Sequence, residues 1–183
     1  MPEDLYEKIV SRRGTMGKIG ERIPGYRGYQ EAEARREADR QLRDYIVQKF
    51  QEQLQRIAPI EKSMLRGGGI AWIDDTAALK TLIQTFIDKI RTAARGYAGL
   101  FSSVKVEGEE LARLYAFDEA MLGYVDDFAA QIDALDTAVL NNEAIAAAIH
   151  SLDALTREAI QAFDMRKQVM LGIAEGTEPD LFD

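Results

Sequence analysis

Apolar residues recur along this chain at intervals of three and four, the period of one helical face, through most of its length. Residues 3–13 predict a short amphipathic helix with Leu5 and Ile9 on one side. From Gln30 to about Ile57, Leu42, Ile46, Phe50, Leu54 and Ile57 form one stripe, preceded by three turns of alanines and charges expected to project beyond a bundle or lie along its surface. Pro59 is read as resetting the chain, with a short helix after it, and Gly67, Gly68 and Gly69 as a break.

A second long helix is expected from Asp74 or Asp75, either of which can cap it, with Leu79, Leu82, Ile83, Phe86 and Ile90 inward. A third runs from about Glu107 to Thr137, with Leu114, Met121, Val125, Phe128 and Ile132 in its stripe, and a fourth from Glu143 to about Ile173, capped by Asn141 or Asn142, with Ile149, Leu152, Phe163 and Met170 inward. Only Ser103 to Val106 hints at a strand. The prediction is all-α: an elongated antiparallel bundle of about four long helices with an N-terminal basic arm. Residues 1–29 form the short helix and glycine-rich arm, 30–173 the bundle, and 174–183 an acidic tail.

Charge adds a polarity to that bundle. Residues 1–106 carry 19 lysines and arginines against 14 acids, whereas residues 107–183 carry 4 against 17. Either the two halves pack on one another or they face different partners. With no cysteine, disulfides, thiolate catalysis and cysteine-ligated metals fall away. A cytoplasmic location, at most peripheral to a membrane, is expected, because no apolar run approaches the ~20 residues of a membrane span and residues 1–13 lack a signal-peptide core.

Candidate chemistry is sparse. A ferritin-like di-metal site needs a Glu-x-x-His motif on each of two helices, but the chain has one histidine, His150, preceded at that spacing by Ala147. A serine–histidine–aspartate triad would depend on the same histidine. Asp126 with Asp127, and Asp133 with Asp136, are the remaining acid–base candidates, and helix surfaces carry such pairs routinely. Lys18 follows Gly17 as in a phosphate-binding loop, but Ile19 stands where a magnesium-ligating hydroxyl is needed. The expectation is a protein that is not an enzyme, with no cofactor, no metal and no small-molecule substrate.

Two segments remain as binding candidates. Between Ser11 and Tyr29, Arg12, Arg13, Lys18, Arg22 and Arg27 face a single acid, Glu21, with Tyr26 and Tyr29 interleaved. Such a segment suits contact with an anionic membrane surface or nucleic acid through phosphates and stacked aromatic rings. Alternatively the arm docks Ile23, Tyr26 and Tyr29 on the bundle and leaves its charges in water.

Ile23 to Tyr29 (IPGYRGY), followed by the charged helix from Glu31 to Arg43, resembles a segment of uncharacterised bacterial all-helical proteins, a resemblance that implies a bacterial origin and no assigned activity. At the other end, Asp180, Leu181 and Phe182 resemble the core of peptides that bind the bacterial replication sliding clamp, with Glu178 where that pattern has Gln. The sequence therefore points to an interaction or scaffold bundle with a protein partner or self-association through the long first helix; the alternative is anionic-surface binding through the arm.

Overall fold

The computed structural model describes residues 2–12, 14–67, 69–93 and 108–175. Among the described residues six helices pack together: α1 (Pro2–Val10), α2 (Met16–Arg22), α3 (Ala32–Gly67), α4 (Ile73–Thr92), α5 (Gly108–Asn141) and α6 (Ile145–Glu175), with a 3₁₀ turn at Gly69–Trp72. The described residues contain no strand. Ser103 to Val106, Arg13, Leu181 and Phe182 lie outside the described residues.

Helices α3 to α6 form a ring in the order α3, α4, α6, α5, with α4 and α5 diagonal to one another. Successive helices run in opposite directions, yet two of the four neighbouring pairs are parallel. Phe50 of α3 meets Phe128 of α5 at 4.9 Å between ring centroids, and six residues on, Arg56 reaches Asp133. Likewise Phe86 faces Phe163 and Lys89 faces Asp164 along α4 and α6. The purely antiparallel bundle expected from the sequence is corrected here, because α4 and α5, consecutive among the described helices, stand diagonal to one another.

α5 is buried over the widest arc. Leu114, Met121, Leu122, Val125, Phe128, Ile132, Leu135 and Val139 face the core, and Tyr115, Ala116 and Tyr124 are also buried. That breadth follows from its neighbours: α3, α6, α1 and α2 all lie against it.

Two local expectations are overturned and a third is narrowed. Pro59 sits inside one continuous α3. An interior proline costs about 3 kcal/mol, but Ile57, Ile60 and Met64 keep the buried stripe in register across it. Of the two placements expected for the opening turns of α3, projection is excluded: they lie against the bundle with Ala34, Arg35, Ala38, Asp39 and Arg43 buried and Arg36, Glu37 and Arg40 exposed. Small alanines admit neighbours closely, and the charges find partners inside. Residues 14–28, read as too glycine-rich for regular structure, contain α2. Gly17 and Gly20 sit in that short helix, whose buried anchor is Ile19.

The caps differ too. Asn142 (φ 50°) ends α5 instead of starting α6: its N–H bonds Val139 O at 3.2 Å, and Glu143 N–H bonds Ala138 O at 3.0 Å. This is the paired-bond, left-handed C-terminal motif in which asparagine substitutes for glycine. Ala144 then opens α6 at φ 57°, a strained value for a residue with a β-carbon. At α4, Trp72 holds the cap position without a side-chain cap, and Asp74 and Asp75 lie in the first turn, where their charge complements the helix end.

Candidate functional site

The segment between α2 and α3 delivers its tyrosines into the bundle. Tyr29, fully buried, donates from Oη to Asp118 Oδ2 at 2.7 Å and accepts from Arg166 Nη2 at 2.9 Å. Tyr26 donates to the same Asp118 oxygen at 3.2 Å. The turn that aims them uses positive φ at Gly25 (80°) and Gly28 (71°), which glycine alone adopts without strain. Tyr29 N–H donates to Tyr115 Oη at 3.0 Å, and Arg35 Nε donates to Tyr29 O at 2.7 Å.

Two arginines and two aspartates complete the cluster. Arg166 Nε donates to Asp118 Oδ1 at 2.6 Å, and Arg43 Nε donates to Asp39 Oδ2 at 2.8 Å. Arg166 Nη2 also lies 2.9 Å from Asp39 Oδ1, close enough for strong attraction but without hydrogen-bond alignment. The four charges sum to zero, which is the condition for holding them in a low-dielectric interior. Burial pushes the Asp118 carboxyl upward, opposed by the Arg166 guanidinium and the Tyr29 hydroxyl. Burial and the nearby Asp118 charge raise both tyrosines well above the ordinary phenol range. Burial would lower Arg166, but attraction from Asp118, Tyr29 and Asp39 outweighs it and holds the guanidinium charged.

Tyr26 and Tyr29, the sequence candidates for aromatic contact with bases or lipid, are therefore corrected: as interior hydrogen-bond donors they offer no free ring face. The basic candidates are distributed as follows. Lys18 Nζ donates to Glu119 at 3.0 Å, and Arg27 pairs with Glu31 at 2.5 Å. Arg22 binds Asp126 through both oxygens at 2.6 and 2.8 Å, a hydrogen bond that raises its basicity further. Arg12 is exposed and has no ion pair among the described residues.

Arg12 borders a crevice of about 350 Å³ where α1 crosses α5 and α6. Ala116, Ala120 and Gly123 floor it, and Glu119, Asp127 and Glu158 outnumber Lys8 and Arg12 around it. That excess of carboxylates gives it no field for concentrating anions. Lys8 and Tyr124 both point at Glu158, at 3.3 and 2.9 Å.

The carboxylate pairs considered for acid–base work are largely engaged with cations: Asp126 with Arg22, Asp133 with Arg56. His150 is exposed beside a shallow depression of about 130 Å³ shared with Asp75 and Asp153. Among the described residues no group of three potential metal ligands comes together. No described helix is long and apolar enough to cross a membrane.

The charge asymmetry resolves into contacts between the halves. Lys8, Lys18, Arg22, Arg56 and Lys89 from the basic half each meet an acid of α5 or α6. Along the opening of α3, Glu37 and Arg40 meet at 2.8 Å, while Glu31 pairs with Arg27 and Arg35 donates to Tyr29 O.

One surface feature was not singled out in the sequence. Large exposed hydrophobic residues among the described ones are Met16, Leu65, Ile70 and Leu140, and the last three share an end of the bundle. Since α3 and α5 run parallel from the Phe50–Phe128 contact, Leu65 lies about 22 Å and Leu140 about 18 Å further along, at nearly one level. Ile70 sits in the turn beyond Leu65, 69% exposed. The signal existed in the sequence: Leu65 and Leu140 each follow the last buried position of their stripe. Comparison with known proteins finds no matching family model, no matching curated protein and no matching solved structure.

Proposed function

We propose that this protein is a non-enzymatic interaction or scaffold module, a helical bundle that engages a protein partner through its two-hairpin end. The observation that carries the reading is the presence of Leu65, Ile70 and Leu140, 57%, 69% and 71% exposed, at that one end. Large apolar side chains left exposed at one end of a bundle and flanked by charge are a mark of contact surfaces. The strained φ of Ala144 in the adjoining turn adds support, since strain of this kind is retained where the local shape is used. The reducing cytoplasm is the compartment that a cysteine-free chain suits.

Anionic-surface binding through Arg12, Arg13, Lys18, Arg22 and Arg27 draws less support. Lys18, Arg22 and Arg27 would each have to leave a carboxylate before taking a phosphate.

A photo-crosslinking amino acid placed at position 70 or 140 tests the interaction reading in cells. Specific crosslinks are expected from both positions and not from position 157 on the exposed face of α6. No crosslink from the hairpin end, or equal yield from position 157, overturns the reading.

A further inference from the structure

We infer that the occupant of this hairpin end is a second copy of the chain, joined head to head about a two-fold axis through the α3–α4 turn. The inference rests on the interaction reading above and names its partner.

Charge supplies the argument. Lys62 and Arg66 close α3, while Asp74 and Asp75 open α4, and all four are exposed without an ion pair among the described residues. Elsewhere most basic side chains of this half are already paired, as Lys18, Arg22, Arg56, Lys80 and Lys89 are. A two-fold contact requires a self-complementary patch, in which what one copy offers the other receives. Two free cations and two free anions either side of Ile70 and the half-buried Trp72 meet that requirement. A partner of one net charge would satisfy one pair and repel the other.

Area sets the strength. Leu65, Ile70 and Leu140 present on the order of 300 Å² of apolar surface, well short of the roughly 800 Å² that each partner contributes to a stable complex. Ala71, Trp72 and the stems of Lys62 and Arg66 extend the contact. The dimer is therefore weak and concentration-dependent.

Light scattering and sedimentation on the full chain across a wide concentration range test this. The expected mass rises from that of a 20.5 kDa monomer towards twice that value. Ile70→Ser should weaken association at least tenfold with helicity and melting temperature retained. The decisive pair is Asp74→Lys with Asp75→Lys on one chain and Lys62→Glu with Arg66→Glu on another. Each variant alone should associate less than the wild type, and their mixture should recover a heterodimer. A wild type that stays monomeric throughout, or a mixture no tighter than its components, overturns the inference. If position 70 still crosslinks to another protein in that event, the interaction reading survives; if it crosslinks to nothing, both fall.

Discussion

Arg166 of α6 and Asp118 of α5 meet at 2.6 Å with no solvent exposure on either side chain. Substituting Arg166→Met should cost roughly 3–5 kcal/mol, because it leaves Asp118 buried without its cation and takes from Asp39 the second of its two. Adding Asp118→Asn to that chain should recover a substantial part, since the remaining Asp39–Arg43 pair is neutral by itself. Urea unfolding of Arg166→Met, Asp118→Asn and the double variant checks this, and strict additivity would count against the pairing. Tyr29→Phe, which removes one donor from the same carboxylate, should cost about 1–3 kcal/mol.

Alkaline pH should unfold the chain. Tyr26, Tyr29 and Tyr124 hold their protons more tightly folded than unfolded, with burial as the largest cause. A group whose folded pKa is raised contributes stability that is complete below its unfolded pKa, 10.0 here, and is lost as pH climbs towards the folded value. Phenolate absorbance should therefore rise in two stages above pH 10. Exposed phenols titrate first, and the buried ones ionise only together with the loss of circular dichroism. Smooth titration of every tyrosine at constant helicity would contradict the burial of this cluster.

Gly14 and Gly17 should respond oppositely to alanine. A β-carbon at Gly14 would fall 2.1–2.3 Å from the Tyr115 and Ala116 backbone, so Gly14→Ala should loosen α1 and α2 from α5 and expose residues 2–29 to limited proteolysis. At Gly17 a β-carbon meets nothing within 4 Å, and Gly17→Ala should raise stability by about 0.5–1 kcal/mol through helix propensity.

Ala144→Gly should also stabilise, by about 1 kcal/mol, because glycine relieves the left-handed backbone at φ 57°. Thermal unfolding of the variant measures it. A loss of stability would mean that the Ala144 methyl makes a contact worth more than the strain.

The helical class and the inward faces of α4, α5 and α6 were legible because Leu79, Phe86, Phe128 and Phe163 follow a period that tertiary packing reinforces. Misreadings fell where a local rule met an interior partner. Asp39 and Arg43 look like surface charge until Arg166, more than 120 residues away in sequence, is brought beside them. Gly14 and Gly28 look like breakers, but one admits the α5 backbone and the other shapes the turn that seats Tyr29. Tyr26 and Tyr29 beside basic residues suggested phosphate contact, and only Asp118 across the core shows their use as buried donors. The shared end of Leu65, Ile70 and Leu140 depends on α3 and α5 being parallel, which no local pattern encodes.

The diagonal placement of α4 and α5 also has a kinetic side. As the chain leaves the ribosome, the α3–α4 hairpin, with Phe50 against Phe86 at 5.1 Å, is complete at Thr92, but the side of α3 that meets Phe128 stays uncovered until α5 has emerged to Asn141. At ~5–20 residues per second, that interval is about 2–10 s, during which the α5-facing side of α3 is open to any apolar surface nearby. Synthesis thus passes through an aggregation-prone half-bundle, and early turns of α3 that hold only alanines and charges keep the exposed stripe short at its N-terminal end.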